Sequence, residues 1–143
     1  MSTSLTDSTN RLAWLLDDLE LDGVRFAVLL SDDGLRVAHS PGISKDEAER
    51  FAAAASGLRS LGKALGEFCG GYPNAVRQNM TEYDEGMILI TAAGAGTLLG
   101  VATTAEVDLG LVAHRMNELA ERVGRELGAP PRRDEFRRAE ISL

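Results

Sequence analysis

The sequence predicts an α/β (α+β) domain: a five-stranded, mostly antiparallel sheet with helices on both faces, in the order α-β-β-α-β-β-β-α. Three observations carry this reading. Five short segments suited to strands are joined mostly by tight turns, and such turns impose antiparallel pairing because a parallel pair needs a crossover of a dozen residues or more. Two of the five, Val24–Leu30 and Met87–Thr91, are apolar at almost every position, as strands covered on both faces must be. Three segments with helical spacing begin, divide and end the domain, so helices are available for both faces of the sheet. The same hairpins exclude a doubly wound nucleotide-binding fold.

The first helix is expected over about Ser8 to Leu21, where Leu12, Leu15, Leu16 and Leu19 recur at helical spacing, with Asp7 or Ser8 as its cap and Asp22-Gly23 as its end. Val24–Leu30 follows as a central strand. Ser31-Asp32-Asp33-Gly34 is a hairpin turn, since Asp-Gly supplies the positive φ that tight hairpins require, and the chain returns over Leu35 to Ser40. Pro41-Gly42 breaks this strand, and Ser44-Lys45-Asp46-Glu47 is a capping box that opens the second helix.

That helix is expected to run to about Phe68, with Phe51, Ala54, Leu58, Leu61 and Leu65 as its core stripe. Beside the stripe lies a strip of small residues, Ala53, Gly57, Ser60 and Ala64. Interior glycines cost about 1 kcal/mol each against alanine, so Gly57, Gly62 and Gly66 imply close approach by another backbone. The remaining face carries Lys45, Glu49, Ser56, Arg59, Lys63 and Glu67. Gly70-Gly71 ends the helix. Ala75–Tyr83 is extended but polar, which places it at a sheet edge. Asp84-Glu85-Gly86 turns the chain into Met87–Thr91, and Ala93-Gly94-Ala95-Gly96 turns it into Thr97–Thr103. Asp108 caps the last helix, whose apolar face is Val112, Met116, Leu119, Ala120, Val123 and Leu127; Gly128 and Pro130-Pro131 stop it. Residues 1–7 read as a flexible leader, 8–128 as the domain and 129–143 as a flexible tail rich in arginine.

Composition narrows the function. A chain of 143 residues with 44% hydrophobic residues is one domain with a core of its own. A formal charge of −7 argues against nucleic acid, whose binders present a basic face to the phosphates. No stretch is apolar enough to insert in a membrane, and the amino terminus has no export signal, so a cytoplasmic location is expected. One cysteine, Cys69, and two distant histidines, His39 and His114, do not make a zinc site or a disulfide.

No catalytic set can be assembled, and no cofactor or metal is expected. Gly94, Gly96 and Gly100 have a fingerprint-like spacing, but a phosphate loop must open a helix and these precede a strand, so they read as a turn. Asp32, Asp33, Asp84 and Glu85 are explained as turn residues. His39 and His114 lack a carboxylate or nucleophile at a useful spacing, and Cys69 lacks a basic neighbour. The small-residue strip is different: a helix cannot aim two adjacent stripes at one flat sheet. A helix–helix contact with a second copy accounts for it, and an edge strand over Ala75–Tyr83 pairing across a two-fold axis would bring two such helices side by side.

The element order, the segment Val28–Ala38 (VLLSDDGLRVA) and the segment Gly96–Thr103 (GTLLGVAT) resemble the roadblock/dynein-light-chain family over about Leu12 to Leu127. The short acidic chain with an arginine-rich tail further resembles the roadblock members of actinobacterial conservons, gene clusters that pair such a protein with a sensor-kinase-like membrane protein and a Ras-like GTPase. The resemblance implies the profilin-like roadblock architecture and a non-enzymatic homodimeric signalling protein, with edge strands joined into one sheet and the paired central helices serving as a platform for small GTPases. Carried onto this chain, the dimer interface is Ala53, Gly57, Ser60 and Ala64 with Val76, Gln78 and Met80 of the edge strand. The partner-binding platform is Glu49, Ser56, Arg59, Lys63 and Glu67, with Arg59 exposed. The competing reading is a small-ligand sensor domain, which would need a roomy pocket between helix and sheet.

Overall fold

The computed structural model describes residues 10–70, 76–94 and 96–127. The expected leader, tail and first-helix cap, together with Gly71, Ala75 and Ala95, lie outside the described residues. Strands β1 (Val24–Ser31), β2 (Arg36–His39), β3 (Gln78–Tyr83), β4 (Gly86–Ala92) and β5 (Thr97–Thr103) form one sheet in the order β2-β1-β5-β4-β3. Every pairing is antiparallel. The expected five-stranded antiparallel sheet is therefore present, with β1, β5 and β4 inside and β3 at an edge.

One face of the sheet is covered by the final helix, α2 (Leu109–Leu127), and by a 3-10 helix, η1 (Ala13–Leu19). Leu15, Leu16, Leu19, Met116, Leu119 and Val123 are buried there against Leu29, Leu89, Leu99 and Val101. Asp108 caps α2 by accepting the Leu111 N–H at 3.1 Å. Leu127, expected on the apolar face, is exposed.

The first helix is shorter and tighter than the sequence suggests. Its leading residue has no side-chain cap, and Asp17 and Asp18 sit in its last turn with no basic residue there. Acids at that end oppose the helix dipole, so nothing local favours a longer α-helix. Tertiary contacts hold it instead: Arg122 of α2 donates to the Leu15 carbonyl at 3.5 Å and pairs with Asp18 at 3.1 Å.

The opposite face carries the central helix, α1 (Lys45–Leu65), continued by a 3-10 turn, η2 (Gly66–Cys69), that ends on Gly70 in the left-handed region. Both halves of the expected capping box are formed at Ser44 and Glu47. The expected core stripe is not the buried one. Ala48, Ala52 and Ala55 face the sheet, packed on Val28, Leu30, Ile90 and Leu98, with Phe51 and Leu58 half-buried beside them. Ala54, Leu61 and Leu65 point away from the sheet. Alanines let the helix lie close to the strands, and the larger side chains are displaced to its flank. At the closest point the Phe51 ring fills the space over Gly100, where a Cβ would stand 2.5 Å from it.

Two glycines fix the course of α1 over the sheet. Phe51 lies over Gly100 of β5, while Gly62 lies against Asn79 of β3. Gly100 and Asn79 both pair with Ile90, so they stand at one level of the sheet, on either side of β4. Glu47 and Phe51 lie by Arg25 and Phe26 at the start of β1, whereas Ser56 and Arg59 reach Asp32 beyond its end, so the helix also advances along β1 and its course toward the open edge is diagonal.

Candidate functional site

At roughly 100° per residue, the side of α1 turned from the sheet is a continuous band of apolar and small residues. Leu61, Leu65 and, in η2, Phe68 are 65%, 63% and 80% exposed, which for large apolar side chains on one helix face marks an unpartnered surface. The small residues Ala53, Gly57, Ser60 and Ala64 lie next to them and are all exposed. A Cβ built on Gly57 meets nothing within 4 Å. The backbone approach that Gly57 permits is thus absent within the chain, whereas that of Gly62 is made by Asn79 and Val76. Sequence reasoning missed the exposure of Leu61 and Leu65. The signal was present: Ala48, Ala52 and Ala55 form a second helical stripe, and only one of the two can face a flat sheet.

The two edges of the sheet are unequal. On β2, the Asn10 side chain donates to the His39 carbonyl at 3.0 Å and accepts the His39 N–H at 2.9 Å, standing in for a ladder partner. Pro41, just beyond, has no N–H to offer. On β3 no strand among the described residues pairs with the outer side. Of the edge residues named from the sequence, Gln78 and Met80 are exposed and Val76 is half-buried. The open edge is the one toward which α1 leads.

The residues expected to form a partner platform do not share one exposed face. Ser56 donates to the Asp32 carbonyl at 2.8 Å. Arg59 pairs with the Asp32 carboxylate at 3.2 Å and donates to the Val76 carbonyl at 3.3 Å, leaving its side chain only 14% exposed. Arg59 is thus a tie between α1, the β1–β2 turn and the entry to β3, and the expectation that it stands free is corrected. Lys63 is half-buried; Glu49, 3.8 Å from Lys45, and Glu67 are exposed. Local spacing placed these five on one side of the helix, and the diagonal path of α1 brought the hairpin turn against the middle of that side.

The other singled-out groups have structural surroundings. Asp32 and Asp33 sit in the turn, Asp33 accepting from the Ser31 hydroxyl. Gly94 and Gly96 have positive φ in the β4–β5 turn. His114 lies 3.4 Å from Glu118 on an exposed face, and Cys69 is exposed. Among the described residues, no group of three or more His, Cys, Asp or Glu is placed to hold a metal ion, and no helix is long and apolar enough to cross a membrane.

The titration of His39 is displaced. Burial lowers its pKa below 6.5, Arg36 beside it adds to the effect, and Glu49 opposes it. The folded state therefore favours the neutral ring, and the unfolded chain binds more protons between the folded pKa and 6.5. Stability present above pH 6.5 is lost as pH falls through that window. Thermal melts at pH 7.5 and 5.5 should show a drop that His39→Gln reduces; an equal drop in both proteins would remove His39 as its source.

An apolar helix face beside an open sheet edge, on a five-stranded sheet with a helix on each side, defines an interaction domain of roadblock type. The model of the Roadblock/LC7 domain matches residues 12–103, and the chain belongs to this family. A Roadblock/LC7 domain from Streptomyces avermitilis is 35% identical over 82% of this chain and 98% of its own, with a TM-score of 0.73. A second from the same organism is 40% identical over 78% and 92%, with a TM-score of 0.59. The gliding protein MglB from Thermus thermophilus, at 20% identity over 78% and 83% and a TM-score of 0.68, shares the fold. The profilin-like character of the architecture is likewise present. No curated protein matches the sequence.

Proposed function

We propose that this chain is a non-enzymatic, homodimeric signalling adaptor that binds a small Ras-like GTPase and regulates or scaffolds it, in a cytoplasmic system that includes a sensor-kinase-like membrane protein. The observation that carries the reading is the exposed band of α1, with Leu61, Leu65 and Phe68 uncovered, lying beside the edge of β3 that no strand among the described residues pairs with. Burying that band against its own copy while β3 pairs with β3 uses both features at once. Membership of the roadblock family and the resemblance to conservon members support the GTPase and the kinase-like protein as partners. The small residues Ala53, Gly57, Ser60 and Ala64 beside that band let the second copy's helix come close and belong to the dimer interface with Val76, Gln78 and Met80, and exposed Glu49 and Glu67 flank it. No observation favours the small-ligand sensor reading, since alanines hold α1 close to the sheet and Phe51 fills the space over Gly100.

The test is binding of the purified protein to a Ras-like GTPase encoded beside its gene, loaded in turn with GDP and with a GTP analogue. Binding that depends on the nucleotide is expected, and hydrolysis rates with and without this protein then separate activator from scaffold. Absence of binding in both states would remove the GTPase and turn attention to the kinase-like neighbour.

A further inference from the structure

We infer that Phe68 of one copy seats in a cleft of its partner, between β3, β4 and β5, so that each cleft is complete only in the dimer. The inference rests on the homodimer proposed above and specifies its central contact. The cleft holds about 310 Å³ and is floored by Ile88 and Ala102, with Tyr83 on one side and Arg25 on the other. It lies on the same face of the sheet as α1, at the end of β3 where Tyr83 stands.

Two features of α1 point Phe68 toward such a cleft. From Phe51 to Gly62 the helix advances about 16 Å. Over that length it moves sideways by two strand spacings, about 9.5 Å, from β5 to β3. At Gly62 it touches Val76 and Asn79, near the start of β3. Leu65 and Phe68 are carried onward from that point, past the open edge. Antiparallel pairing of β3 with its own copy places the start of one strand opposite the end of the other, so the residues around Val76 meet the partner's Tyr83. The end of α1 thereby arrives over the partner's cleft.

The chemistry of the cleft suits an aromatic ring. The Arg25 side chain makes no hydrogen bond or ion pair among the described residues, and Tyr83 is 55% exposed. A phenyl ring laid on Ile88 and Ala102 would meet an aromatic edge and a guanidinium, both of which attract its face. Phe68 is 80% exposed in its own chain, so nothing among the described residues accounts for a phenylalanine there.

Because Phe68 is exposed, changing it leaves the fold of the chain untouched. Phe68→Asp is expected to raise the dimer dissociation constant by about 100-fold or more, since the two-fold axis repeats the loss in both clefts. Sedimentation gives the constant, and a Phe68→Asp dimer as tight as the wild type would overturn the contact. Placement is read by cross-linking. Phe68→Cys and Tyr83→Cys chains, each also carrying Cys69→Ser, are mixed, equilibrated and treated with a short bis-maleimide. A covalent dimer should form in the mixture and in neither chain alone; its absence with the dimer intact would overturn the seating of Phe68. A wild-type chain that sediments as a monomer at about 100 μM would instead overturn the dimer reading itself.

Discussion

Replacing Leu61 and Leu65 together by aspartate is expected to convert the proposed dimer into a folded monomer. Both side chains are more than half exposed in the single chain, so the substitution removes no contact on which the monomer depends. In the proposed dimer the two leucines of each copy would lose that exposure. Full burial of a leucine contributes about 1.5–3 kcal/mol, and four such side chains share the interface. Burial of the exposed fraction alone would bring their sum to about 4 kcal/mol even at the low end, or nearly a thousandfold in the dissociation constant. Four carboxylates buried around a two-fold axis would add a further cost. Light scattering should give the monomer mass, with helix content and cooperative melting retained. A dimer mass at low micromolar concentration would show that the band on α1 is not the interface. Gly57→Ala makes an informative companion, because its Cβ meets nothing and the helix gains about 1 kcal/mol of propensity.

The second large effect is expected inside the sheet. A Cβ at Gly86 would stand 1.8 Å from the Thr103 carbonyl oxygen and 2.8 Å from the carbonyl carbon, both backbone atoms of the neighbouring strand. Backbone cannot swing aside as the end of a side chain can, so Gly86→Ala must separate β4 from β5 at the start of the ladder. A cost of about 3–5 kcal/mol is expected, in the range of the most damaging single substitutions. For a domain of this size that lowers the melting temperature by on the order of 10 °C. A melting temperature within a degree or two of the wild type would show that the turn can yield. The two substitutions separate association from folding: Gly86→Ala should weaken the fold and the aspartate pair only the dimer.

Much of the fold was legible because its signals are local. Asp-Gly at Asp33-Gly34, the capping box at Ser44 and Glu47, and the unbroken apolar runs of β1 and β4 each state a local conformation. Those conformations allow few arrangements of five strands and three helical segments. The first helix was over-read because the leucine spacing is genuine while the acids of its last turn and the contacts with Arg122 decide its form. The candidate site was legible in part. A polar β3 announced an edge, and Gly57 announced a surface where another backbone can come close.

What the sequence determined by itself was the element order, the antiparallel sheet, the edge position of β3 and the presence of one apolar stripe too many on α1. Periodicity and turn chemistry depend only on near neighbours in the chain, so they can be read without the fold. Which stripe of α1 faces the sheet was decided only by tertiary structure. Ala48, Ala52 and Ala55 win that position because a small-residue face lets the helix lie close to the strands, and this leaves Leu61, Leu65 and Phe68 uncovered. The role of Arg59 was settled in the same way, because its partners Asp32 and Val76 are distant in sequence and meet it only where α1 crosses the sheet on the diagonal.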